Sequence, residues 1–314
     1  MFLTQSTARS TFLKILTLTA LATGVSLAAA ADRIPIGFSQ ATMNSPFRVV
    51  QTQKMVDYAK TLPDVDLIVT DGQGDSAKQA ADIENLIARG VKVLTVSANS
   101  AAALTPSVRD AMRAGIKVVT VDRKVNTKVT AHVGGVNKPI GEAAGKLLIE
   151  KLGNKGAVAE IEGVAGASVT IDRHEGFAEA LKGSGVKIVA MQYGDFQREP
   201  AIKFTEDLLQ KYKPGELQAI FAQNDEMALG VIQALETAGR SKDVLVVSID
   251  GQERAFQAIK AGKLLATFIY PLAAPEGMEI AYKLAKGESV PPVTTLEFHQ
   301  VDASNVDSYL GKGF

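Results

Sequence analysis

The 314-residue chain contains no cysteine. No disulfide framework can hold it, no cysteine-based zinc site can form, and no thiol is available to carry a lipid after an N-terminal cleavage. Histidine is scarce as well. His132, His174 and His299 are the three; they lack the spacing of a metal-ligand set, so they read as surface or strand residues and no metal is expected. Charge of one sign is not in excess, since Lys+Arg and Asp+Glu each number 34. That balance gives no reason to expect nucleic acid or anionic lipid as a partner. No GxSxG, HExxH, GxxxxGK[ST] or GxGxxG pattern occurs, so no catalytic or cofactor-binding signature is present and no cofactor is expected.

What is there begins with a segment unlike the rest. Arg9 and Lys14 precede an apolar run from Ile15 to Leu27, closed by Ala28-Ala29-Ala30-Ala31. Residues 1–31 therefore read as a secretory signal peptide cleaved after Ala30 or Ala31. The run is shorter than the roughly 20 residues a membrane anchor needs, and small residues end it. Removal of Arg9 and Lys14 with this segment leaves a charge of about −2. The cleaved protein is expected free in an exported compartment, most simply a bacterial periplasm, without direct membrane insertion.

From Arg33 onward short β-rich runs alternate with amphipathic helical stretches. Ile34–Phe38, Leu67–Val69, Val91–Val96, Lys117–Val121 and Val129–Gly134 read as strands, with helices over Pro46–Leu62, Ser76–Arg89 and Leu104–Ala114 between them. The pattern restarts with helix Gly141–Leu152 and strand Ala157–Ile161, and runs on through helix Ser168–Leu181, strand Lys187–Gln192 and helix Glu199–Tyr212. Repeats of this length specify an α/β fold of doubly wound parallel sheets with right-handed crossovers. Length and the restart near Gly134-Gly135-Val136-Asn137 indicate two such domains. Leu265–Ile269 and Thr294–Gln300 are two further strands that periodicity alone does not assign to either sheet.

Several strands stop abruptly at polar residues. Ala219-Ile220-Phe221 runs through Gln223-Asn224-Asp225 into a helix whose stripe is Met227, Val231 and Leu235, with Asp225 as its expected cap and Gly239 as its end. Val118–Val121 stops at Asp122-Arg123, and Val244–Ile249 stops at Asp250-Gly251. The carboxyl ends of strands are where open α/β sheets bind ligands. The plainer alternative is that these acids cap helices and fill turns. Asp122 and Asp250 also form a formal carboxylate pair for glycoside hydrolysis, but no nucleophile or base accompanies them. Gly163–Ser168 is a strand-to-helix turn that reads as a plain tight turn, or as an anion seat. Carboxylate, guanidinium and amide together suit a polyhydroxylated ligand, and Phe47 and Phe196 are placed where rings can stack on a sugar's C–H face.

These residues resemble a known family, the periplasmic sugar-binding proteins of ABC importers, ribose-binding type. The resemblance covers the chain from about Arg33 and rests on Asn44-Ser45-Pro46-Phe47, Thr120-Val121-Asp122-Arg123, Ser168 to Phe177, Gly194-Asp195-Phe196, Phe221 to Gly230 and Ile249-Asp250-Gly251. It implies a type I periplasmic binding protein, two lobes joined by a three-crossing hinge, which deliver a monosaccharide to a membrane permease. One lobe would be 32–135 plus 270–300 and the other 136–269 plus 301–314. By resemblance Ser45, Phe47, Arg48, Asp122 and Arg123 line one side of the site, Arg173, Phe196, Asn224 and Asp250 the other, and Tyr270 the crossing. Against the ribose-binding pattern Ser45 replaces Asn, Arg48 and Ile249 replace aromatics, and Tyr270 replaces Gln. Gly37-Phe38-Ser39-Gln40, the Phe47-Arg48 pair, Ala167-Ser168-Val169 with Ile171-Asp172-Arg173, and Ser248-Ile249-Asp250-Gly251 look more like the galactofuranose-binding branch. No catalysis is implied, and a monomer is expected. A chemotaxis or signalling receptor and a secreted sugar-modifying enzyme are the alternatives; a repressor's sugar-sensing domain would need a DNA-binding segment where residues 1–31 stand.

Overall fold

The computed structural model describes residues 33–314, and the expected signal peptide, 1–31, lies outside them. The chain opens with β1 (Ile34–Gln40), α1 (Pro46–Lys60), β2 (Val65–Asp71), α2 (Ser76–Ala88), β3 (Val93–Ser97), α3 (Ala101–Arg113), β4 (Lys117–Val121) and β5 (Ala131–Gly135). These strands form one sheet in the order β2, β1, β3, β4, β5, with all pairs parallel. Every residue of β3 is buried, as a strand covered by helices on both faces must be. Ile36, Phe38, Val119 and Val133 face one apolar layer with Met55 of α1. Leu94, Val96 and Val118 face the other, with Ile83 and Leu86 of α2 and Leu104 of α3.

The second repeat contains α4 (Asn137–Lys151), β6 (Lys155–Glu162), α5 (Ser168–Leu181), β7 (Gly185–Tyr193), α6 (Arg198–Lys211), β8 (Ala219–Ala222), α7 (Asp225–Thr237), β9 (Leu245–Asp250), α8 (Glu253–Lys260) and β10 (Ala266–Ile269). After it come α9 (Ala274–Ala285), β11 (Val293–Leu296) and β12 (His299–Asp302). The second sheet has the order β12, β10, β9, β8, β6, β7 and is parallel except for β12, which runs antiparallel to β10. The single strand expected over Thr294–Gln300 is two strands. β11 pairs with β5 at the edge of the first sheet, whereas β12 joins the second. His299 and Gln300, expected with the first lobe, therefore belong to the second sheet. Alternation of side chains is the same in both pieces, and it says nothing about which sheet a strand joins.

Each sheet with its helices makes a lobe, and α9 returns to the first lobe, where Met278 and Ile280 join its core. The chain thus passes between lobes after β5, after β10 and between β11 and β12. In the second lobe α4 and α5 approach at a pair of glycines. A Cβ on Gly141 would lie 2.0 Å from the Arg173 carbonyl oxygen, and one on Gly176 would lie 2.0 Å from that of Lys138. Only glycine permits this approach, and it fixes where the start of α5 stands relative to the hinge. Among the described residues no helix is long and apolar enough to cross a membrane.

Candidate functional site

The carboxyl ends of strands from both lobes border a cavity of about 310 Å³. Ser45, Phe47, Arg48, Asp122, Arg123, Arg173, Phe196, Asn224, Asp250 and Tyr270 all line it, and none is more than 8% exposed. Arg48 comes from the first turn of α1, Asp122 and Arg123 from the end of β4, Arg173 from α5, Asn224 from the end of β8, Asp250 from the end of β9 and Tyr270 from the crossing after β10.

On the first-lobe wall Arg48 turns inward. Its Nη1 lies 2.6 Å from Asp122 Oδ2 and donates to Gln51 Oε1 at 2.9 Å and Ser97 Oγ at 3.0 Å. The other Asp122 oxygen accepts from the Tyr270 hydroxyl at 2.7 Å. Asp122 is therefore no helix cap: Oδ1 is taken by the Tyr270 hydroxyl, while Oδ2 faces the Arg48 charge and accepts no protein hydrogen bond. Burial alone would raise this carboxyl, but the charges of Arg48 and Arg123, the Tyr270 hydroxyl and the more distant Arg173 hold it below the ordinary range. For Tyr270, burial and then the Asp122 charge push the phenol well above its usual value. Asn137 continues the chain of contacts: its Nδ2 donates to the Tyr270 oxygen at 3.0 Å, and its Oδ1 accepts from Arg173 Nε at 2.9 Å. One buried polar chain thus links Arg48 in the first lobe to Arg173 in the second.

On the second-lobe wall the expected helix cap moves by one residue. Asn224, not Asp225, caps α7: its backbone is extended (φ −154, ψ 168) and its Oδ1 accepts from the Met227 amide at 3.0 Å. Both residue types cap well, and the one outside the helical dihedrals takes the role. Asp225 is buried instead and gathers neighbouring elements. Its carboxylate accepts from Ser248 Oγ in β9, from Thr267 Oγ1 in β10 at 2.7 Å, and from the amides of Gly251 and Gln252 at 2.8 and 2.7 Å. These bonds fix the loop that carries Asp250. Asp250 caps nothing, since Gln252 is the N-cap residue of α8. Burial, helped by nearby Asp225, pushes the Asp250 carboxyl well above the usual range, against the opposing charges of Arg173 and Arg48.

Two further observations mark this surface. Gln73, Asp122, Asp195, Phe196 and Asp250 all have positive φ (56°, 64°, 54°, 60° and 136°) and all border the cavity. Side-chain-bearing residues hold such conformations only where the surroundings enforce them, at about 1–3 kcal/mol each, and they concentrate at functional sites. Arg123 Nε and Nη1 and Asp250 Oδ2 are buried without a protein hydrogen-bond partner. Flat surfaces accompany these polar atoms. The Arg123 guanidinium lies 5.3 Å from the Phe196 ring centre, and that of Arg173 lies 4.7 Å from the Tyr270 ring centre. At the rim the lobes touch: the Ala101 amide donates to the Gly166 carbonyl at 3.0 Å and the Lys124 amide to Ser168 Oγ at 2.8 Å. The Gly163–Ser168 turn is thus a contact between lobes.

Sequence reasoning missed Asn99, Gln51, Ser97, Asn137 and Gln223. Asn99 lines the cavity just beyond β3, where the strand-end rule used for β4, β8 and β9 applies equally. Gln51 lies one helical turn from Arg48, and Gln223 donates from Nε2 to Glu160 Oε1 at 2.9 Å while its carbonyl accepts from Arg173 at 2.6 Å. Of the histidines, His132 and His299 lie in strands as expected. His174 lies on α5, with Nδ1 2.8 Å from Glu160 Oε2 and 3.1 Å from Glu162 Oε1. Among the described residues this is the grouping close enough to hold a metal ion. Its two carboxylates share one face of β6, and an imidazole brought by a different element is not visible in linear spacing.

Comparison with known proteins follows the same outline. A profile described as periplasmic binding protein domain matches residues 36–289. The ribose import binding protein of Haemophilus influenzae is 38% identical over 268 residues, covering 84% of this chain and 89% of that protein. The galactofuranose-binding protein of Escherichia coli is 30% identical over 293 residues, covering 90% and 92%. A solved ABC transporter solute-binding protein from Mycobacterium smegmatis with bound glycerol superposes with a TM-score of 0.83 at 39% identity, covering 89% of this chain and 97% of that one.

Proposed function

Because the chain belongs to the periplasmic binding protein domain family, we propose that it is the substrate-binding component of an ABC sugar importer. It captures a monosaccharide, galactofuranose-like or ribose-like, between its lobes and delivers it to a membrane permease from the periplasm. The observation that carries this reading is the cavity itself. It is walled by both lobes, has a volume of about 310 Å³ in keeping with a single sugar, and presents buried Arg123 and Asp250 atoms with no protein partner. A ligand hydroxyl accepts from Arg123 and donates to Asp250 in one contact set, which leaves neither group desolvated and unpaired. Phe47 and Phe196 supply the apolar faces, and Arg173, Asn224 and Tyr270 complete the wall.

Arg48 stands where the ribose-binding pattern has an aromatic ring, which favours the galactofuranose-like ligand. Its remaining donors present a planar fork in place of a flat apolar wall. The protein acts as a monomer and hands the sugar on unchanged. A thermal-shift screen over pentoses, hexoses in both ring forms and polyols tests the reading. The true ligand at a hundred times its dissociation constant adds about 2.7 kcal/mol of stability, and it should be recovered unchanged after incubation. A screen with no shift from any sugar or polyol would reject the proposal.

A further inference from the structure

The tail beyond β12 is tied to the second lobe. Glu253 Oε2 at the start of α8 accepts from the Gly311 amide at 2.8 Å and the Gly313 amide at 3.4 Å, and the Glu253 amide donates to the Phe314 carbonyl at 3.4 Å. Gly313 comes so close that a Cβ there would lie 2.2 Å from the Glu253 nitrogen. Tyr309 packs on Phe256 of α8 with ring centres 5.9 Å apart. Held this way, the tail points its last ring across to the first lobe. Phe314 meets Phe47 of α1 edge-on, with ring centres 5.7 Å apart and planes at 77°.

Phe47 lines the ligand cavity, and its ring also lies 5.9 Å from that of Tyr270. Phe314 does not line that cavity. It stands behind Phe47, on a separate groove of about 680 Å³ bordered by Val50 and Lys54 of the first lobe and by Phe256 and Tyr309 of the second. We propose that Phe314 is a positioning residue for the cleft, a clasp that pairs with Phe47 when the lobes are together and so slows release of the ligand. This rests on reading the cavity as a sugar site. An aromatic pair formed across the lobes has no counterpart when they part, so its whole contribution favours the closed state.

The test uses the full chain and the sugar that wins the thermal-shift screen. Phe314→Ala should weaken binding about three- to tenfold, through faster dissociation with little change in association, while the melting temperature of the ligand-free protein stays at the wild-type value. Phe314→Tyr keeps an edge-on ring and should restore the wild-type release rate. A second readout needs no sugar. Because the chain has no cysteine, Ala102→Cys and Ile171→Cys accept one spin label each on opposite lobes, and Phe314→Ala in that background should shift the distance distribution of the ligand-free protein toward the open form. A wild-type release rate in Phe314→Ala, an affinity loss not rescued by Phe314→Tyr, or an unchanged distance distribution would each overturn the clasp. Absence of binding by the wild type to every sugar would reject the sugar reading, and the distance measurement would still decide the clasp.

Discussion

Arg48 and Asp122 face each other at 2.6 Å, both nearly excluded from water, and neither can be treated as a surface pair. Removing one partner strands the other's charge, which costs about 3–5 kcal/mol. Arg48→Met and Asp122→Ala should therefore each lower the unfolding free energy of the ligand-free protein, and the double variant should lose clearly less than the sum, as a double-mutant cycle in urea will read. An additive cycle would mean that the two act independently. The same geometry gives Asp122 a second task beside the ligand contact expected of it, since it holds Arg48 and Tyr270 in place while its Oδ2, like Asn99 Oδ1 and atoms of Arg123 and Asp250, has no protein hydrogen-bond partner. At the other side of β4, His132 sets a pH dependence. Burial first, and the Lys124 charge second, lower its pKa from 6.5 to about 4. Between those values the unfolded chain binds a proton that the folded one refuses, so stability falls as pH drops from about 6.5 to about 4 and this group contributes no further loss below that. The span amounts to about 3 kcal/mol. Buried Asp225, raised to about 6, and Asp250, raised by burial, act in the opposite sense over the same range, so the His132 contribution is read as the difference between wild type and His132→Gln in denaturant titrations, which should grow as pH falls from about 6.5 to about 4.

Close approach of α4 and α5 at Gly141 and Gly176 gives the next scale its prediction. Gly176→Ala sets a methyl against the Lys138 carbonyl oxygen, forces the helices apart, and should cost about 1–3 kcal/mol in thermal or urea unfolding. Because Arg173 rides on α5, ligand affinity should fall with it. Asp225→Leu should cost more, because Ser248, Thr267 and two backbone amides lose their shared acceptor inside the lobe. Elements of this kind were legible in sequence wherever local chemistry decides them. Apolar runs such as Val91–Val96 and Lys117–Val121 announced parallel strands, and the polar residues that end β4, β8 and β9 announced positions that border the cavity. What stayed hidden depends on partners distant in sequence. Nothing local tells that Arg48 reaches Asp122, that His174 meets Glu160 and Glu162, or that β11 and β12 part to different sheets after two residues. Asn224 and Asp225 are both capping types, and only the dihedrals at the β8 end separate them.

At the scale of the molecule, Ala101 with Gly166 and Lys124 with Ser168 bridge the lobes at the rim of the cavity, contacts that a parting of the lobes would break. Small-angle scattering should therefore give a smaller radius of gyration with saturating sugar than without it. Identical radii in both conditions would argue against hinge closure. The three crossings have another effect, on the order in which the protein can come into being. α9 and β11 belong to the first lobe, and Met278, Ile280 and Ala281 cover Ile36, Phe38 and Val119 there, yet they follow the whole of the second lobe except β12 and the tail. An N-terminal lobe is usually the part that folds first as a chain emerges from the ribosome. This one lacks a core helix and an edge strand until everything through β10 of the second lobe has been made, a timetable that leaves the leading half of the nascent polypeptide unfinished and threadable.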